Sequence, residues 1–445
     1  MNDFHRYIAS YLFYRQVRIF LFIFFLIVAC PNSKASQVVD SSPLFNQCIR
    51  EQKTISLQKG KTYYLNSKII AGKNISIHGN GAKIVIPKSY PLSRYDDIFS
   101  LKDSGKIYME NVNITCLLGQ KFSKRDSTGD TSILSAKKGM IRLKNVNFEC
   151  RTHYNNVTFI FSTGADVYMN NCKIVNDTWS KQGGILWYMS KTSSLGSITL
   201  KNCYFEHDAK DECMCFSVSG TANIQNCLIN VNVDNCTYYS PCQSRSSGMI
   251  ILYNHNNHVF ADVHVNYKKC KFICKGPNRR SIQTLQCGSD TTWHYGKFSS
   301  RFTHCEFDYS IDKVADSGIL GLLPSKNKGT FNDASYDFED CKFNIHNYAC
   351  LIGDKDGDRR GKYVFRNCQL ESDGRLFQKR YNQGSGNIVV TIENSTCKSI
   401  DKVPSTERLY AKKSQFVNIK DEKMMLGNKF ISLKGCKVNN QHVAQ

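Results

Sequence analysis

Stretches of alternating apolar and polar residues return along this chain, and each is interrupted at one fixed point. "VYMNNCKI" (167–174), "ITLKNCYF" (198–205) and "YVFRNCQL" (363–370) show the unit: an alternating run, a small polar residue, a key residue, and an apolar residue two places later. Alternation with a period of two marks a half-buried strand. Eleven segments share the pattern, with key positions at Val112, Val146, Cys172, Cys203, Cys227, Cys270, Cys305, Cys341, Cys368, Ser395 and Cys436. A looser twelfth, "ISIHGNGAKI" (75–84), carries two extra residues. Key positions lie 24 to 43 residues apart, while the unit keeps its length. A constant unit with variable gaps predicts a solenoid whose loops leave from one side.

The residue before the key position is Asn at 111, 145, 171, 202, 226, 367 and 394, and otherwise Asp340, Gly435, His304 or Lys269. Asn, Asp and Gly, and to a lesser degree His, enter the left-handed region readily. The chain is therefore predicted to bend within that one residue and to turn the key residue inward. Asn side chains stacked from coil to coil are placed to hydrogen-bond in a ladder. Eight key residues are Cys, a small buried hydrophobe on rungs about 4.8 Å apart. Because disulfide geometry is restrictive, most of these thiols are expected to be free.

Strand, Asn corner, strand, repeated in this way, resembles the right-handed parallel β-helix of the pectate lyase-like superfamily. "TISLQKGKTYYLNSKIIAGKNISIHGNGAKIVI" (54–86) is similar to its opening coils. Before it, residues 42–52 ("SPLFNQCIREQ") read as a capping helix, with Ser42 as N-cap, Pro43 in the first turn and Leu44, Phe45, Cys48 and Ile49 on one face. The fold expected is all-β: a single-stranded right-handed parallel β-helix of about 12 coils, with a short helix closing its N-terminal end. The resemblance covers roughly residues 40 to 440 and implies a fold. It transfers no catalytic residue: the "GHG" motif of the polygalacturonase-like members and the strict lyase motifs are absent, and the one Asp-Asp pair, Asp96–Asp97, falls outside the candidate strands.

Composition then narrows the setting. Of 445 residues, 59 are Lys or Arg against 37 Asp or Glu, a formal charge of +22 that attracts polyanions. Nucleic acid, anionic lipid and acidic polysaccharide all qualify, so location must choose. Arg15, Arg18 and the apolar run 19–30 read as a signal peptide within residues 1–35. "LIVAC" resembles a bacterial lipobox, which would put a lipid and a membrane anchor on Cys30; cleavage after Ala35 is the rival reading. Either way residues 36–445 form one exported domain in the cell envelope, periplasm or medium, and nucleic acid becomes a poor partner. A monomer is expected, because "KVNNQHVAQ" (437–445) is short for an oligomerising terminus.

In the family each coil has a third strand, which usually lines the substrate groove. Candidates between the units are residues 184–194, 249–258, 281–295, 318–328, 350–362 and 375–386, each an apolar run ending in polar residues. Stacked as rungs, they would align one polar stripe. As acid–base groups it offers His255, Lys326, Lys355 and Arg380; as sugar-holding groups, Tyr253, Trp293, Tyr295, Lys379 and Tyr381. "GDKDGDRRG" puts Asp354, Asp356 and Asp358 at alternate places, which makes calcium the candidate cofactor; ordinary turn chemistry is the competing reading. The functional expectation is an acidic polysaccharide, handled by a lyase or epimerase. The alternative is a carbohydrate-binding or adhesive surface protein without catalysis.

Overall fold

A computed structural model describes residues 37–445 except 52–53, 73, 92–95, 119–129, 152–155, 177–183, 190–194, 208–215, 221–223, 242–247, 255–258, 277–280, 288–293, 312–319, 324–329, 348–351, 355–359, 373–376, 380–386, 399–407, 421, 428 and 444–445. Almost every strand pairs in parallel with the strand one coil earlier and one coil later, forming a single-stranded parallel β-helix. Eleven strands make a separate sheet, here stack I, from Ile69–Ala71 to Phe377–Lys379. A 28-stranded sheet holds the other two stacks, joined because Gly105–Cys116 and Gly139–Cys150 run through the corner between them. Stack II carries the alternating half of each unit before the corner, and stack III the half after it. Stack II begins earlier than the repeats suggest, with Gln37–Val39 paired to Thr54–Leu57.

The corner is where the sequence pattern becomes geometry. Asn111, Asn145, Asn171, Asn202, Lys269, His304, Asp340, Asn367, Asn394 and Gly435 all have φ between +49° and +63°. The bend leaves the inter-coil ladder intact. The N–H of Asn202 donates to the carbonyl of Asp234 one coil on (2.9 Å), and the N–H of Tyr204 to that of Cys172 one coil back (2.9 Å). This holds even Lys269 in a conformation that costs a side-chain-bearing residue about 1–2 kcal/mol. The looser first corner needs Gly79, since a Cβ there would stand 2.5 Å from Cβ of Val112.

Two readings of the pattern are corrected. Asn226 and Cys227 do not form a corner: Ile224–Asp234 is one continuous strand, and the bend falls at Asn235 (φ +52°), making Cys236 the key residue. Cys203, Cys236 and Cys270 are then 33 and 34 residues apart, instead of the 24 and 43 implied by Cys227. A further corner at Lys413 (φ +50°) puts Ser414 at a key position that the pattern missed.

At the N-terminal end the helix is Ser42–Arg50, with Ser41, not Ser42, as N-cap. Ser42 Oγ instead accepts the backbone N–H of Tyr64 (2.9 Å), tying the helix to the coil below. Phe45, Cys48 and Ile49 are buried, and Leu44 packs partly buried against the core. At the other end Gln441–His442 pairs antiparallel with Lys437–Val438 through Asn439 and Asn440, both at positive φ, and so covers the last edge of stack III.

Rows of inward side chains from stacks II and III and the corner between them fill the core. Aromatic rings dominate its middle: Phe205, Tyr238, Phe272, Phe307 and Phe343 stack with centroid spacings of 5.1, 5.2, 5.0 and 4.4 Å. Tyr267, Phe302, Phe338 and Phe365 form a second file at 4.6, 4.7 and 4.7 Å. The rung repeat itself sets this spacing, and each such pair adds about 0.5–1.5 kcal/mol to the burial of its rings.

Candidate functional site

Stack I contains the strands expected to carry the polar stripe. Ile185–Met189, Phe216–Gly220, Gly248–Asn254, Ser281–Cys287, Leu320–Leu323, Ile352–Asp354 and Phe377–Lys379 are consecutive rungs. Phe216–Gly220 was not anticipated among them. One row of register partners runs from Trp187 through Val218, Leu252, Leu285 and Leu322 to Asp354 and Lys379. Asp354 and Lys379 are therefore backbone neighbours. Tyr253 lies on the next row, beside Ser219 and Gln286. Tyr295, expected on that stripe, lies instead in the stack II strand His294–Thr303, paired with Phe331. Cys30, His255, Trp293, Lys326, Lys355, Asp356, Asp358, Arg380 and Tyr381 lie outside the described residues. Among the described residues no group of three or more His, Cys, Asp or Glu is arranged to hold a metal ion.

Trp187 anchors the described part of stack I. It is fully buried, and its Nε1–H donates to the carbonyl of Ala165 (2.9 Å). Gly196 makes room for it: a Cβ there would lie 2.4 Å from the indole Cζ2.

On the outer face of stack II, a side-chain cluster escaped the sequence reading. His78 and Glu110 are register partners on adjacent rungs. His78 Nδ1 lies 2.5 Å from Glu110 Oε1, and the Tyr108 hydroxyl donates to Oε2 at 2.5 Å. Lys106 Nζ sits 5.1 Å from the centre of the Tyr108 ring. Burial first, and then the bond to the Glu110 carboxylate, push the Tyr108 hydroxyl from its ordinary 10.0 up to about 12. The hydrogen bond from Tyr108 leads the causes that hold Glu110 below the usual carboxylate range. Alternate polar residues in "ISIHG" and "IYMEN" signalled this face, but only the register shows which of them meet.

The key-position thiols form a buried row. Cys172, Cys203, Cys236, Cys270, Cys305, Cys341 and Cys368 occupy successive coils, and all are free. Each S–H lies within reach of the carbonyl two residues back, as in Cys203 to Lys201 (3.1 Å) and Cys368 to Arg366 (3.2 Å). The sulfur also accepts: the N–H of Cys203 donates to Cys236 Sγ at 3.3 Å. Hydrogen bonds to Cys203 push Cys172 and Cys236 up, as does burial; Cys203 itself is held down by those same donors. The row is thus a set of buried thiols bonded to backbone carbonyls and to one another. One described cysteine off this row, Cys274, is disulfide-bonded.

No protein-family model and no curated protein matches the chain.

Proposed function

We propose that the chain is an exported relative of the pectate lyase-like β-helices that binds an acidic polysaccharide along the polar edge of stack I and acts on it as a lyase or epimerase. One observation supports this reading: Gly248–Asn254, Ser281–Cys287, Leu320–Leu323, Ile352–Asp354 and Phe377–Lys379, whose sequences run on toward the candidate residues, are consecutive rungs of one parallel sheet. The net charge of +22 favours an anionic polymer, and the signal-like N-terminus favours an extracellular one.

In such a site a base chosen from His255, Lys326, Lys355 and Arg380 removes the proton beside a uronate carboxyl. The released electron pair forms a double bond as the glycosidic oxygen leaves, or the carbon is reprotonated on its other face. Lys379 and the rings of Tyr253, Trp293 and Tyr381 hold the sugars. Asp354, Asp356 and Asp358 would be the ligands of calcium, which would neutralise the carboxylate.

The test incubates residues 36–445 with polygalacturonate, alginate, chondroitin sulfate and heparin, with calcium and with chelator. Ultraviolet absorbance from unsaturated uronate and new reducing ends are followed together, and proton exchange at the uronate carbon reports epimerisation. Absorbance rising with reducing ends supports the lyase; substitution of the four candidate bases then locates the proton acceptor. Reducing ends alone mean hydrolysis and overturn it. Retention without product, reducing ends or proton exchange makes the chain a carbohydrate-binding surface protein.

A further inference from the structure

The polar surface changes character toward the C-terminal end. In the central coils a cation on one rung meets an acid on a neighbouring rung: Lys271 with Glu306 (2.9 Å), Lys275 with Asp308 (2.8 Å), Arg301 with Glu339 (2.6 Å) and Arg366 with Asp337 (2.6 Å). In the last two rungs this alternation stops. Lys412 stands in register with Lys434, cation beside cation. Lys413 occupies the adjoining corner, Lys437 follows the next corner, and Arg408 opens the same strand as Lys412. Arg408, Lys412, Lys413 and Lys434 are exposed, and none of the five forms an ion pair among the described residues. Glu393 lies in register with Lys412, but its carboxylate reaches Arg366 (3.5 Å).

Like charges set side by side on adjacent strands cost stability. Where acidic and basic residues are register partners elsewhere among the described strands they are of opposite sign, as in Lys201 with Asp234, Arg301 with Asp337 and Glu371 with Lys398; Lys412 beside Lys434 departs from that rule, and such departures concentrate where a surface is used. Tyr410 lies between Arg408 and Lys412 on the same face and is 45 % exposed, with Thr391 and Ser432 as its register neighbours. The face thus combines cations at rung spacing, an open ring and hydroxyl groups.

We propose that this face is a docking surface for an acidic polysaccharide, separate from the stack I edge. Carboxylate or sulfate groups along the polymer would take charge-assisted hydrogen bonds from Lys412, Lys434 and Arg408, and a sugar face would lie on Tyr410. Single-stranded nucleic acid stacks successive bases on successive rings, and a duplex accepts an element inserted into its groove. This face offers two exposed rings, Tyr410 and Phe430, but Tyr410 is in register with Ser432 and Phe430 stands beside Arg408, so the rings do not stack rung on rung; cations and hydroxyls between them suit a sugar polymer better than a run of stacked bases. The polymer class is shared with the function proposed above; the surface and its residues are not.

Heparin and polygalacturonate serve as the sulfated and carboxylated probes, with affinity measured on the full chain at fixed salt. K412Q/K434Q is compared with K271Q/K342Q, which removes the same charge from the central coils. The docking surface predicts at least about a tenfold loss for the first pair, from two lost charge-assisted bonds, a smaller loss for the second, and a measurable loss for Y410A. Equal losses in the two double variants would reduce the effect to net charge and overturn the proposal. Tighter binding of an oligothymidylate of equal charge than of either polysaccharide would overturn the choice of polymer. Unsaturated product that K412Q/K434Q leaves unchanged, with no selective loss of affinity, would sink this surface and spare the stack I reading. Selective loss in K412Q/K434Q, with no product and no effect of K379Q, would do the reverse.

Discussion

At the scale of single residues, the repeat is explained by what a left-handed corner leaves unpaired. The bend keeps the N–H groups on either side of the key residue in the inter-coil ladder, and it strands the N–H of the key residue itself. At three corners the next coil's key side chain takes that donor: Cys236 Sγ for Cys203 (3.3 Å), Ser395 Oγ for Cys368 (2.9 Å) and Ser414 Oγ for Ser395 (3.2 Å). Hydroxyl and thiol are thus interchangeable in kind, which burial and volume alone do not explain. C236A should lose about 1–3 kcal/mol, the cost of leaving a buried N–H without its acceptor. C236S should lose less than C236A, since it keeps both polar contacts as Ser395 does. Denaturant unfolding of the two variants checks the order; C236S less stable than C236A would mean that volume, not the hydrogen bond, selects the residue.

At the scale of elements, strands and corners were legible because each is written in a few adjacent residues: alternation for the strand, Asn and Cys for the corner. What was not legible was choice between equal local patterns. "QNC" at 225–227 and "DNC" at 234–236 look alike, and only the distance to neighbouring corners prefers the second. The Lys413 corner was hidden because it has neither Asn nor Cys; its Ser414, like Ser395, carried the signal. Contacts across rungs were illegible altogether, since His78 and Glu110 are 32 residues apart in sequence and neighbours only in register. The same distance problem kept the stack I site from being assembled beyond the neighbouring backbones of Asp354 and Lys379.

That cross-rung cluster gives a prediction at its own scale. Tyr108 favours its neutral form in the folded protein, so its contribution to stability is present below pH 10.0 and lost as pH rises toward about 12. Glu110 favours its charged form, so its contribution is present above the ordinary carboxylate pKa and lost as pH falls through its lowered folded value. E110Q should bring Tyr108 down from about 12 toward 10.0, leaving the part that burial causes, and should flatten the pH dependence of Tm at both ends. Ultraviolet titration of tyrosinate and melting curves across pH check both; an unchanged Tyr108 titration would mean that burial alone raises it.

At the scale of the whole molecule, the β-helix converts a one-dimensional repeat into long, straight rows. Rows of buried Cys and aromatic rings lie inside, charged register partners of opposite sign lie on the central coils, and Lys412 and Lys434 set positive charge side by side at the C-terminal end. The linear anionic polymer proposed as ligand would run along such rows. Hydrogen exchange with and without bound heparin or polygalacturonate tests this most directly. The account predicts slowed exchange at the C-terminal ends of the stack I strands, around 253–254, 354 and 379, and across 408–437, with the central faces of stacks II and III unchanged. Protection spread evenly over the surface, or none from either polymer, would contradict it.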